Sequence, residues 1–204
     1  SGNGVDKAID AVGYQATSAG SSAVGGKQDW VAITGDNAIS IGEWTHIAYT
    51  RNGTGDNHAI YVNGIAQMIS TNSYTFVNND ALKEIGRGTD QGQHYNGQID
   101  EVAIWNEALT AAEITALYNS GIPLNASSNS GNYTSSANLQ GYWNFNTGSG
   151  TTLTDQTSNG NNGTINGATW STDVPTTSTT MPDADYQNVA DQLIISWSGS
   201  DAAS

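Results

Sequence analysis

Cysteine is absent from this 204-residue chain, so no disulfide staples the fold and no thiol serves as a nucleophile. That absence leaves the compartment open. Cations are scarce: Lys and Arg number 5 against 19 Asp and Glu, a formal net charge of −14. Phosphate recognition needs clustered Lys and Arg, so nucleic acid is excluded as an expected partner, and an anionic membrane surface is disfavoured for the same reason. Calcium and neutral sugar surfaces remain compatible with this charge, and acidity also serves plain solubility. No apolar run reaches the roughly 18 residues that a membrane span requires. Histidine is rare too, and His46, His58 and His94 have neither metal-like spacing nor a Ser or Cys partner for nucleophilic catalysis. No secretory leader pattern opens the chain, whose first residues, SGNGVDKAIDAVG, read like the interior of a longer sequence. Both ends are expected to be cuts in a larger protein.

What the chain does have is an ordered series of strand signals between Trp44 and Tyr118. After Trp44, Ile47, Tyr49 and Arg51 alternate with His46, Ala48 and Thr50, the period of a half-buried strand. In HAIYVNGIAQ, Asn63-Gly64 lies between Val62 and Ile65; Asn-Gly is the preferred pair for a type I′ hairpin, which needs positive φ at both central residues. Residues 99–105 (IDEVAIW) place Ile99, Glu101, Ala103 and Trp105 on one face and Asp100, Val102 and Ile104 on the other. Neither face is cleanly apolar, which predicts a strand covered on both sides with its acids near one end. Thr110 and Glu113 form a capping box ahead of Ile114, Leu117 and Tyr118, with Gly121 placed as the helix stop and Pro123 beyond it. The expectation is one short helix near residues 110–119.

Taken together, WTHIAYTRNG, HAIYVNGIAQ, EIGRG and YNGQIDEVAIWNEALTAAEITALY resemble the laminin G and concanavalin A-like jelly roll. That resemblance implies an all-β sandwich used mainly for binding rather than catalysis. A second stretch, LQGYWNFNTGSGTTLTDQTSNGNNGTINGATW at 139–170, is similar to the usual opening of laminin G-like domains: Tyr142, Trp143 and Phe145, then Gly148-Ser149-Gly150-Thr151, then Asp155 and Asn159-Gly160-Asn161-Asn162-Gly163. Thr157 stands where the family has Ser.

The expected organisation has four parts. Residues 1–26, rich in Gly, Ser and Ala, read as flexible or extended. Residues 27–170 read as the sandwich, interrupted by a Ser/Asn/Gly-rich connection at 119–138. An unpaired Tyr-Trp-Asn-Phe strand would expose aromatics and a free edge, so 139–170 is expected to fold back and complete the sandwich, with Trp143 and Phe145 against Ile47, Tyr61 and Trp105. The alternative is that it belongs to a second domain. Residues 171–184 read as a Thr/Pro linker. In 185–204, Leu193, Ile195 and Trp197 alternate as a strand that resembles the start of a fibronectin type III-like module.

Three chemistries compete for the site. Glycoside hydrolysis needs two carboxyls facing one cleft, whereas Asp100 and Glu101 are neighbours on a strand and should point to opposite faces. No catalytic residue is therefore expected, and the chain reads as a non-enzyme. Calcium prefers oxygen donors in loops; Asp90 and Gln91 in one loop, and Asp155, Asn159 and Asn161 in another, are the candidate ligands. The first loop bears a partial resemblance to the pentraxin calcium loop, with Gly88 where that family has an acid. Asx residues also organise turns without any metal. Carbohydrate binding stacks an aromatic on a sugar ring with amides beside it, and Gln93, His94, Tyr95 and Asn96 form such a group. The sequence thus points to a recognition or adhesion module of an extracellular, cell-surface or virion-surface protein. Its expected partner is a glycan, a surface protein or neighbouring copies of itself, with calcium as an aid. The alternatives are an architectural spacer or assembly domain, and a glycoside hydrolase or lyase relative.

Overall fold

The computed structural model describes residues 12–17, 21–26, 32–33, 42–52, 57–70, 84–86, 94–175 and 191–199, with side chains described for 42–51, 58–67, 84–86 and 94–175. The fold is all-β with one short α-helix. Its strands are β1 (Val12–Thr17), β2 (Ser21–Gly26), β3 (Ala32–Ile33), β4 (Trp44–Asn52), β5 (Asn57–Val62), β6 (Ile65–Ser70) and β7 (Gly97–Trp105). Helix α1 (Ala111–Tyr118) follows, then β8 (Leu139–Trp143), β9 (Thr152–Leu153), β10 (Gly163–Thr164) and β11 (Asp191–Gly199). The main sheet has six strands in the order β6-β5-β4-β11-β7-β8. A three-stranded sheet, β1-β2-β3, lies beside it, with β3 against β5 and β6. A small β9–β10 ladder completes the set.

The hairpin at Asn63-Gly64 forms as its residue types require. Asn63 has φ 49° and Gly64 φ 75°, and Val62 pairs with Ile65 across the turn. The turn is also tied to β4, because the His46 amide donates to Asn63 Oδ1 at 3.0 Å and the Asn63 amide donates to His46 O at 2.8 Å. Strand β4 is not half-buried as its alternation predicts: every residue from Thr45 to Arg51 is buried. A strand inside a sheet covered on both faces buries its polar positions along with its apolar ones.

Helix α1 starts on the predicted capping box. The Glu113 amide donates to Thr110 Oγ1 at 3.3 Å, and the Thr110 amide donates back to Glu113 Oε2 at 3.0 Å. Glu113 also fastens the connection ahead of β8, because Ser135 Oγ donates to its Oε1 at 2.6 Å and Thr134 Oγ1 donates at 3.1 Å. Burial opposes ionisation of Glu113, but these donors prevail and hold its carboxyl down at about 2. The helix ends at Asn119 (φ 44°) rather than at Gly121. Asn tolerates the left-handed conformation well enough to cap, and Gly121 closes the short 3₁₀ turn that follows.

The stretch after the 119–138 connection returns to the main sheet. Strand β8 pairs antiparallel with β7: Val102 opposite Trp143, Ala103 opposite Tyr142, Ile104 opposite Gly141. The packing partners differ from the expectation. Tyr142, not Trp143, joins Tyr61 and Trp105 in the large core with Ala48, Ile114 and Leu117. Trp143 is buried on the opposite face with Val102 and Leu153, where Phe145, Ile165 and Trp170 pack around it. Neighbouring residues of a strand face opposite sides, so one aromatic of the pair serves each core. The large core also holds Tyr133, whose hydroxyl accepts from Trp105 Nε1 at 2.9 Å and donates to Ala126 O at 2.7 Å.

Both end segments contribute strands. Residues 12–17 and 21–26 pair antiparallel, Val12 opposite Gly26 through Thr17 opposite Ser21. Ladder bonds come from the backbone, so a Gly/Ser/Ala-rich stretch can pair without large apolar groups. At the other end, Asp191–Gly199 is a strand of the main sheet between β4 and β7 rather than the start of a separate module. The linker expected at 171–184 is described only to Pro175, where Trp44 Nε1 donates to Asp173 Oδ1 at 3.5 Å.

Candidate functional site

The loop leading into β7 carries the sugar-binding candidates. Gly86 (φ 78°) turns the chain, and the Tyr95 amide donates to Gly86 O at 2.8 Å, so the two ends of the loop are clasped together. His94 and Asn96 are exposed and Tyr95 is half-buried. The His94 imidazole and the Asn96 amide therefore sit at the surface on either side of a part-exposed phenol, directly before Gly97 opens β7. Gln93, Asp90 and Gln91 lie outside the described residues.

Asp155 is the centre of a different construction. Its Oδ1 accepts from the Tyr142 amide at 3.0 Å and the Thr157 amide at 3.0 Å. Its Oδ2 accepts from Thr157 Oγ1 at 2.8 Å and the Asn161 amide at 2.9 Å. A carboxylate offers about four acceptor positions, and all are taken by protein donors. Burial works against ionisation here, yet the Thr157, Tyr142 and Asn161 amides outweigh it and hold the carboxyl below its ordinary value. Asn159 and Asn161 both donate their Nδ2 groups to Gln140 O, at 3.0 and 2.9 Å, and Trp143 Nε1 donates to Asn161 O at 3.0 Å. The three residues read from sequence as calcium ligands thus brace the turn onto β8. Among the described residues no group of three or more His, Cys, Asp or Glu side chains is placed to hold a metal ion.

A third cluster was only half visible in the sequence. Glu101 adopts φ 54° in the middle of β7. Asp100 stands opposite Ile194 and Ala103 opposite Ser196, so Glu101 and Val102 share the single partner Ile195, a β-bulge. The bulge breaks the ideal alternation. Ile99 packs with Val102 and Ile104 in one core, while Ala103 and Trp105 belong to the other. It also undoes the premise that Asp100 and Glu101 part to opposite faces: Asp100 Oδ1 accepts from the Glu101 amide at 2.9 Å, and the two carboxyls act on each other. Burial pushes Asp100 up to about 6, against the pull of the Glu101 amide. Burial pushes Glu101 up to about 7; the Tyr142 hydroxyl, which donates to it, opposes the rise and Asp100 adds to it. Glu101 lines a cavity of about 10 Å³ with His46, Ala103, Trp105, Leu117 and Tyr142, room for about one water molecule. His46 in its wall is pushed down to about 4 by burial and so is neutral at physiological pH. The acid pair was legible as two adjacent carboxylates, but nothing in the sequence announces positive φ at a glutamate.

Comparison with known families adds one finding. The Laminin_G_3 family model, described as the concanavalin A-like lectin/glucanases superfamily, matches residues 6–115, just over half of the chain. The match spans β1 to the middle of α1, so β8 and β11 lie beyond it although they belong to the same main sheet. No curated protein and no solved structure matches. With a sheet of this make-up and that match, the chain belongs to the concanavalin A-like lectin/glucanase superfamily.

Proposed function

We propose that the chain is a non-catalytic recognition module that acts outside the cell or on a particle surface, with a glycan or a surface protein as its partner. The observation that carries this reading is the contrast between its two chemical groups. The carboxyl pair of Asp100 and Glu101 lies in the sheet beside a cavity of about 10 Å³, too small for a sugar ring, whereas His94 and Asn96 are exposed at the loop on either side of the half-buried Tyr95. A part-exposed aromatic flanked by hydrogen-bonding groups suits the apolar face and hydroxyls of a sugar. The net charge of −14 favours a neutral or cationic partner over an anionic one. Among the described residues no helix is long and apolar enough to cross a membrane.

Calcium enters this proposal through Asp90 and Gln91, since the Asp155 carboxylate already has its full set of donors. An ion held only by the folded state raises the melting temperature by mass action. Melting in millimolar calcium and in EDTA tests that part, and equal curves remove the ion.

A glycan array probed with and without EDTA tests the whole reading. Tyr95→Ala should weaken binding at least several-fold while the melting curve stays within a degree or two. Uniform silence on the array favours an architectural spacer, a reading supported by a main sheet that takes strands from widely separated parts of the chain. Release of reducing sugar that Glu101→Gln abolishes would instead establish a hydrolase.

A further inference from the structure

Strand β11 is unlike its neighbours in direction and in origin. The other five strands of the main sheet come from residues 44–143, and each of their mutual pairings is antiparallel. Strand β11 is the last strand among the described residues and runs parallel to both β4 and β7. It sits in the centre, so it alone joins the β6-β5-β4 half of the sheet to the β7-β8 half. Gln192–Gly199 runs along Trp44–Arg51 on one side, and Asp191–Ser198 runs along Gly97–Trp105 on the other.

An empty gap there would leave the inner edges of β4 and β7 with rows of unpaired N–H and C=O groups. With β11 in place, β4 is buried from Thr45 to Arg51, and Asp100, Val102, Ala103 and Trp105 are buried in β7. Unpaired backbone groups in such a setting are costly, so the gap demands a strand. Ladder bonds are made by the backbone and take no account of which copy supplies that strand. Between Pro175 and Asp191 lie fifteen residues, 176–190, which span at most about 50 Å when extended. That reach serves the sheet of a neighbour as readily as the sheet of the same chain.

We propose that Asp191–Gly199 is an exchangeable strand, filling the gap between β4 and β7 of its own chain when dilute and that of a second copy when concentrated. The partner is therefore another molecule of this chain. The contacts are the same in both arrangements, so the balance is set by the effective concentration of the tethered strand, of millimolar order for a short connection. Reciprocal exchange closes a two-fold dimer, and one-way exchange builds an open chain of copies. This assembly does not depend on the recognition reading, because it rests on the backbone pairing of β11 with β4 and β7 alone.

The absence of native cysteine makes the test direct. Thr50 and Ser198 are register partners, as are Thr45 and Leu193. One population carries Thr50→Cys and another Ser198→Cys; they are mixed, partly unfolded, refolded and oxidised at concentrations from about 1 µM to about 1 mM. The expected result is a mixed disulfide whose yield rises with concentration, while a single chain with both substitutions closes on itself when dilute. The Thr45→Cys and Leu193→Cys pair repeats the measurement should either Thr50 or Ser198 variant fold poorly. Light scattering after refolding should show dimers or larger species of the unsubstituted chain at about 1 mM and monomer at about 1 µM. A double variant that closes on itself with no mixed disulfide at 1 mM would overturn exchange. So would failure of both pairs to close in either way, or light scattering that shows monomer alone at about 1 mM.

Discussion

At Asp155 one carboxylate decides the conformation of about twenty residues. It gathers three backbone amides and a hydroxyl from β8 and from the turn after β9. Asp155→Ala leaves the buried Tyr142 amide without its acceptor, and charged hydrogen bonds are each worth about 1.5–3 kcal/mol without being additive. Urea unfolding should show a loss on the order of 3 kcal/mol, with Asp155→Asn losing less. The Asp100–Glu101 pair works in the opposite sense. Their folded-state values lie near 6 and 7, above their ordinary 3.8 and 4.5. A raised carboxyl stabilises the fold at low pH, and that contribution disappears as pH rises through the folded value. Glu113, held at about 2, contributes above its ordinary 4.5 and is lost as pH falls toward 2. His46, held at about 4 by burial, adds stability as pH rises toward its ordinary 6.5, so together these groups should place the peak of the melting temperature near pH 4.5, with a fall toward pH 7. Glu101→Gln should flatten the alkaline side of the profile and stabilise the fold at pH 8, by an amount on the order of 2 kcal/mol. A profile unchanged by Glu101→Gln would remove the buried glutamate from this account.

Among the elements, the β5–β6 hairpin and helix α1 are locked together. Gly64 holds φ 75°, and a Cβ there would lie 3.0 Å from Tyr118 Cδ1 and 3.3 Å from Thr115 Cα. Thr115 Oγ1 donates to Gly64 O at 2.9 Å, so the helix already rests on the turn. Gly64→Ala combines a strained backbone with a crowded contact and should destabilise by about 1–3 kcal/mol in urea unfolding. Strand β7 shows how an element can be right in extent and wrong in orientation. Its span follows from the alternation in IDEVAIW, but the bulge at Glu101 moves Ile99 to the other core. A bulge inserts one unmatched residue, and only the register of the neighbouring strands reveals where.

For the whole molecule, closure of the sheet is the governing event. Strand β8 covers the outer edge of β7, and β11 joins the two halves. Deleting 139–204 removes both, exposes Trp105 and Val102 and opens an edge, so the melting temperature should fall by more than about 10 °C or the chain should become insoluble. Deleting only 176–204 removes β11 and keeps β8, so comparing the two truncations by thermal melting separates their contributions. An unchanged curve for the longer deletion would mean that 139–170 is an independent piece.

By itself the sequence determined what depends on local chemistry. The Asn63-Gly64 turn, the Thr110–Glu113 cap and the presence of strands after Trp44 and across IDEVAIW follow from residue types and short periods, because φ preferences and alternation act over a few positions. His94 and Asn96 lie at the surface with Tyr95 half-buried between them. Only the tertiary structure decided what depends on partners distant in sequence. It sent Tyr142 and Trp143 to opposite cores, since the face of a strand is set by register with its neighbour. It turned Asp155, Asn159 and Asn161 into braces, because the donors that fill the carboxylate come from β8 and from the turn that follows β9. It raised Glu101 and Asp100, since a pKa reports burial rather than spacing. And it set Asp191–Gly199 between β4 and β7, because a gap between two edges exists only once the rest of the sheet has folded around it.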